Sequence, residues 1–434
     1  MTAALLHTLP NGVRVLALPQ PWRQGVNLSV FVASGSLHEP RRLNGISHVV
    51  EHMAFKGTVR RDNASINLDA ERLGADVNAH TDKDHTAFHI DGLGRDLPAF
   101  VELLSDIVLH STFPEVELER ERQVIRHEFT EFDDDPATTA FNVFDRACWG
   151  WHPLAQPVIG RRANLERFTG DDLRGWVAQQ YVPGRVMVAA VGGLDASAFV
   201  RAAEAGFGAL RGAALPVPAP PSWLGGIKLR RLSGSSQCHV IVGHAAPPLA
   251  DPAHHAWRLA AAVLGEGMSS PLLDRLRERR GLAYHAACSA DIGPLAGQFV
   301  VEAATAPEQA VEVLDEIAAL LAAHAERVSP VDLERAREQL VVRALRTPEQ
   351  PVRLLETTVQ EVFALGRPAD PASAMARLRA LTADDVRAVF RQMQAAVPAV
   401  ALAGQVPAAV RLRAQALFGN CQNPHEEDPE GDTP

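Results

Sequence analysis

The same order of apolar strand patterns and amphipathic helix patterns runs through this chain twice, and that repeat constrains the fold more than any other feature. In the first half, strand signals at Val13 to Ala17 and Val26 to Val32 precede a helix over 44–55 and another near Ile66 to Leu73. A strand near His85 to Gly92 and two longer helices, about 95–110 and 114–131, complete the set. The second half repeats it with strands at Ile227 to Arg231 and Cys238 to Gly243, helices near 252–264 and 269–279, a strand at Gly297 to Ala303, and helices near 306–324 and 329–345. Between the copies, Ala213 to Trp223 holds Pro216, Pro218, Pro220 and Pro221, which block helix and central strand alike. The expected organisation is therefore a domain over 1–212, a Pro-rich linker over 213–224 and a homologous domain over 225–418. Residues 419–434, acidic and poor in apolar side chains, are expected to be disordered. The fold class is α+β: two homologous α/β sandwich domains, each a mixed sheet with helices packed on one face.

The 434 residues are 47% hydrophobic, enough for two sizeable cores. A net charge of −10, with Lys and Arg scattered, argues against nucleic acid as a partner. The N-terminus lacks the basic start and apolar run of a signal peptide, and no stretch reaches the roughly 18 apolar residues of a membrane span. A cytoplasmic protein with no membrane partner is expected. Cys148, Cys238, Cys288 and Cys421 are too far apart for a disulfide framework or a Cys-x-x-Cys zinc site and read as reduced structural thiols.

Within the first copy, His48-Val49-Val50-Glu51-His52 places two imidazoles at i and i+4 with a carboxylate between them, so all three share one helix face. Neutral imidazoles suit zinc, a catalytic zinc keeps a position for water, and a neighbouring carboxylate can take that water's proton. Asn44 is expected to cap this helix and Gly57 to close it, around the apolar Ile46, Val49, Val50, Met53 and Phe55. The second copy has only the adjacent pair His254 and His255 in the corresponding segment.

A third ligand is sought on the helix from Pro114, where Glu121, Val124, Ile125 and Glu128 fall at i, i+3, i+4 and i+7, two carboxylates on an apolar face. A solvated charged edge competes with that reading, and periodicity does not choose between Glu128 and its neighbours His127 and Glu131. The repeat sharpens it: Leu118-Glu119-Arg120-Glu121-Arg122 runs parallel to Leu333-Glu334-Arg335-Ala336-Arg337, which sets Ala336 opposite Glu121 and Arg343 opposite Glu128. The copy without the histidine pair also lacks both carboxylates.

These residues resemble the pitrilysin (insulinase) family of zinc peptidases, in its short two-domain bacterial or mitochondrial-processing-peptidase-like type. The resemblance rests on Gly45 to Thr58 around H-x-x-E-H with the distant Glu128, and extends through Leu9-Pro10-Asn11-Gly12, Gly35 to Glu39, Gly74 to Thr81 and Asp133 to Pro136. Leu276-Arg277-Glu278-Arg279-Arg280-Gly281-Leu282-Ala283-Tyr284 is similar to the family's C-terminal signature. The resemblance implies that His48, His52 and Glu128 bind one Zn2+ per chain, that Glu51 is the general base, and that Glu121 is a carboxylate behind the ligands. It further implies that Arg277 and Tyr284 serve the active site from the second domain. Asn78, Ala79 and His80 would lie on an edge strand that takes a peptide substrate by strand addition. Such a chain resembles half of a clamshell metalloenzyme and pairs as a homodimer, or as a heterodimer with a related chain.

Three functions follow as alternatives: a zinc endopeptidase or oligopeptidase acting on short or unfolded peptides, a non-catalytic scaffold or partner subunit, and a zinc hydrolase of a non-peptide amide. Intact His48, Glu51, His52 and Glu128 favour the first over the second.

Overall fold

A computed structural model describes residues 4–419 apart from 214 and 217. Of the tail expected to be disordered, residues 420–434, Cys421 among them, lie outside the described residues. The chain forms two compact units that interleave in sequence. One takes the chain up to Asp133, Trp151–Pro221 and Val341–Ala376; the other takes Asp134–Gly150, Ser222–Leu340 and the chain from Arg377.

The first unit is built on a six-stranded sheet of β1 (Leu5–Thr8), β2 (Arg14–Pro19), β3 (Gly25–Val32), β4 (Asp76–Thr81), β5 (Thr86–Leu93) and β6 (Val186–Gly192), in the order β1-β2-β6-β3-β5-β4. The second unit has β7 (Gly226–Arg231), β8 (Cys238–Ala246), β9 (Ala283–Ile292), β10 (Gly297–Thr305) and β11 (Ala399–Gly404), in the order β7-β11-β8-β10-β9. In each sheet the first strand of the common set pairs parallel with the last strand in sequence, β2 with β6 and β7 with β11, and every later pairing is antiparallel. Strand order and direction thus superpose copy on copy, with β1 as the added edge.

The repeat extends to details of side-chain bonding. Arg122 donates to the carbonyls of Leu165 and Phe168, the latter just before the helix Gly170–Gln180, whose Thr169 and Asp172 form a capping box. Arg337 likewise donates to the carbonyl of Leu381 at 2.6 Å, just before Ala383–Ala395, capped by Thr382 and Asp385 in the same way.

Each sheet also carries a helix on its second face. All seven residues of β6 are buried, the mark of a strand covered on both sides. On one side Val188 and Ala190 join the core under the helices Ile46–Ala54 (α1) and Leu97–His110; on the other Met187, Ala189 and Val191 meet Leu355, Val359 and Val362 of the helix Pro351–Leu365. In the second unit the helix Pro136–Trp149 packs on β7, β8 and β11, with Phe144 filling the space beside Gly243. None of Cys148, Cys238 and Cys288 forms a disulfide, and no described helix is long and apolar enough to cross a membrane.

Burial holds His244, on β8, down to a pKa of about 4. An unfolded histidine protonates near 6.5, so the stability tied to keeping it neutral is complete above that pH. It is lost as pH falls from about 6.5 toward 4, by up to about 3 kcal/mol. Urea unfolding across that window is expected to show a shallower acid loss in His244→Gln than in the parent; equal slopes would place the acid sensitivity elsewhere.

Candidate metal centre

The helix α1 packs against β4 and the helix Gly170–Gln180, burying Ile46, Val49, Val50 and Met53 and leaving His48, Glu51 and His52 on its partly open face. Its N-terminus is not capped as the sequence suggests. Gly45, at φ 102°, is the N-cap residue and offers no side chain. The buried carboxylate of Glu39 does the capping from outside the helix, accepting the N–H groups of Gly45 at 2.7 Å and Ser47 at 2.8 Å. Asn44 instead braces that carboxylate, donating to Glu39 Oε2 at 2.9 Å and to the Pro157 carbonyl at 3.0 Å. Burial raises the Glu39 pKa, and these hydrogen bonds oppose it. Gly45 is required in a second sense: a Cβ there would stand 2.9 Å from Gly160 Cα and from the Ile159 carbonyl. At the other end the C-cap is Phe55, and Gly57 lies beyond it in an isolated bridge with Asp62, so Gly57 does not close the helix.

The helix Glu115–Asp134 (α4) supplies the facing carboxylates. Glu121 and Ile125 are buried and Glu128 half-buried, but Val124 is 46% exposed, so the apolar face is narrower than its spacing predicts. His48 Nε2 stands 3.5 Å from Glu128 Oε2, and His52 Nε2 stands 3.4 Å from Glu128 Oε1. One ligand atom from each of the three residues lies within 4.8 Å of the others. Tetrahedral zinc with nitrogen or oxygen ligands at about 2.1 Å separates those ligands by about 3.4 Å, so the donor set fits such an ion. The alternatives His127 and Glu131 are not in this group.

Behind this candidate group, Glu121 Oε2 lies 3.1 Å from His52 Nδ1, and Glu121 Oε1 accepts from Lys56 Nζ at 2.7 Å. A carboxylate on Nδ1 fixes the tautomer that leaves Nε2 as a lone pair. Burial, with the neighbouring His52, lowers the His48 pKa to about 4, which keeps that imidazole neutral. For His52 burial acts in the same direction but is outweighed by Glu128 and Glu121, and the pKa rises. Glu51 is pushed up by burial, while Thr81 Oγ1 donates to its Oε2 at 2.7 Å and pulls it back. Lys56, Thr81 and Glu39 had no role assigned from the sequence. The one available signal was Lys56 at i+4 from His52.

Asn78, Ala79 and His80 lie on β4, which is an edge of the first sheet. Asn78 Oδ1 accepts the N–H of Ala79 at 2.8 Å. Arg277 and Tyr284 belong to the second unit, where the guanidinium carbon sits 5.2 Å from the ring centroid and Tyr284 is 85% exposed.

Residues 14–162 match the model of the insulinase family, peptidase family M16, and residues 167–340 match that of the M16 inactive domain. An uncharacterized zinc protease of Streptomyces coelicolor is 30% identical over 92% of this chain and 88% of its own length. Mitochondrial cytochrome b-c1 complex subunit 1 of Bos taurus is 32% identical over 68% of this chain and 64% of its own. A protease from Helicobacter pylori, 20% identical, shares the fold with a TM-score of 0.84, covering 93% of this chain and 100% of that one. The chain belongs to the M16, or insulinase, family.

Proposed function

We propose that this chain is a zinc-dependent peptidase of short or unfolded peptides. The observation that carries the proposal is the approach of His48 and His52 Nε2 to the two oxygens of Glu128 at zinc-ligand spacing. His48, His52 and Glu128 would hold the ion, and Glu121, itself bonded by Lys56, orients His52 from behind. When bound, zinc supplies Lewis acidity, lowering the pKa of a coordinated water toward about 7 and polarising a carbonyl. Glu51 takes a proton from the attacking water and returns it to the amine as the C–N bond breaks. The free edge of β4 binds an extended peptide through its backbone, with Asn78 yielding the Ala79 N–H. Arg277 and Tyr284 are assigned to substrate binding and oxyanion stabilisation on the resemblance of their sequence. The working form is a cytoplasmic homodimer, which native mass measurement checks.

The test is hydrolysis of a quenched peptide library before and after chelation. Activity that disappears with chelator and returns with Zn2+ is expected; activity indifferent to both would refute the proposal. A second reading, a non-catalytic partner subunit, draws on the inactive-domain match and the respiratory-complex relative. Metal bound without any hydrolysis would favour it. Glu121→Gln is expected to weaken zinc about 10- to 100-fold in competition with a chelator, and an unchanged affinity would remove Glu121 from the site.

A further inference from the structure

The turn between β4 and β5 carries a second cluster of ligand-bearing side chains, on the sheet face opposite α1. In this antiparallel pair Asn78 lies opposite His89 and His80 opposite Ala87, and Asp82 bonds to His85 across the two-residue turn Lys83-Asp84. Directly opposed residues and those two apart along a strand share a face. Asn78, His80, Asp82, His85, Ala87 and His89 therefore project together. The intervening Val77 and Ala79 pack toward the α1 core, and Thr81 bonds Glu51. His80 is flanked by two imidazoles: His89, with ring centroids 5.6 Å apart, and His85, whose Nε2 is 3.3 Å from His80 Nε2.

Two lone pairs repel at that distance, so either one ring donates an N–H to the other or a metal ion lies between them. The 3.3 Å separation matches the roughly 3.4 Å between nitrogen ligands of one tetrahedral ion. Asp84 Oδ1 lies 2.6 Å from His85 Nδ1, which directs the Nδ1 proton to the carboxylate and leaves Nε2 as the donor atom, as in carboxylate–histidine–metal triads. Asp82 and Asp84 each bring a carboxylate oxygen within 4.8 Å of a His85 ring nitrogen and of each other, in a group that does not include His80. Glu356, on the helix Pro351–Leu365 that covers this face, adds a negative charge acting on both imidazoles. We infer that His80 and His85, with Asp84 orienting His85 and Asp82 adding a second carboxylate beside it, form a second site for a divalent ion of the zinc, nickel and copper class, separate from the His48–His52–Glu128 centre. Imidazole with carboxylate selects these metals over calcium or magnesium.

The test counts ions on the full chain, stripped with chelator, checked for folding by circular dichroism and titrated with Zn2+ under native mass spectrometry. Two ions per chain are expected, falling to one in His85→Gln and in His80→Gln. One ion is expected to remain in His48→Ala/His52→Ala and to disappear when His85→Gln is added. Asp84→Asn should weaken the second ion roughly 10- to 100-fold. His80 is only partly buried on an edge strand, so His80→Gln carries the test if His85→Gln fails to fold. A single ion on the parent chain, with the His80–His85 pair sharing a proton instead, would overturn the inference. Two ions retained in His80→Gln would overturn it as well.

Discussion

Glu51→Gln is expected to lower kcat/KM for a quenched peptide by about 10²- to 10⁴-fold, the range for loss of a positioned general base. Glutamine preserves the shape of the side chain and can still accept the Thr81 hydroxyl through its carbonyl oxygen, so α1 keeps its packing. It cannot take a proton from water at neutral pH. Because Glu51 is not in the ligand group, the variant should hold its zinc with parental affinity. Metal retained with hydrolysis lost identifies Glu51 as the base. Full activity in a preparation free of contaminating protease would assign the proton transfer to another group.

His52→Ala should reach a similar loss of activity by a different route. Removing one of the three proposed protein ligands would forfeit about a third of a site worth roughly 10–16 kcal/mol, a weakening of zinc on the order of 10²- to 10⁴-fold. The substitution also parts Glu121 from the imidazole it orients, leaving it with Lys56. Excess Zn2+ should restore part of the activity of His52→Ala and none of that of Glu51→Gln. Identical responses of the two variants to added metal would contradict the division of roles between them.

The strand and helix order was legible because periodicity is local: β2, β3, β5, α1 and α4 lie within a few residues of their expected positions. The candidate group His48, His52 and Glu128 was legible because α1 and α4 each present its side chains from a single helical face. The capping of α1 was not, since Asn44 and Glu39 differ in role only once Pro157 and Gly160 close around them. Val124 satisfies the spacing of a buried face, yet its exposure depends on what lies opposite, which spacing does not encode. The histidines of the β4–β5 hairpin were visible as residues but not as a group, because their shared face depends on a two-residue turn and its register. The helices covering the second sheet faces were missed for a similar reason. β6 announces burial on both sides, but nothing local says that its cover comes from Pro351–Leu365.

That last helix has a consequence for how the protein is made. When synthesis has passed the Pro-rich linker, every strand of the first sheet has been translated, yet the face bearing Leu16, Phe31 and Met187 still lacks its cover. At about 5–20 residues per second the ribosome takes on the order of ten seconds more to deliver Leu355 to Val362. During that interval the nascent chain displays an apolar sheet face, the kind of surface that chaperones hold and that aggregates recruit. Truncation at the linker makes the interval permanent, so a fragment ending near residue 212 should require a chaperone or the remainder of the chain supplied in trans to stay in solution.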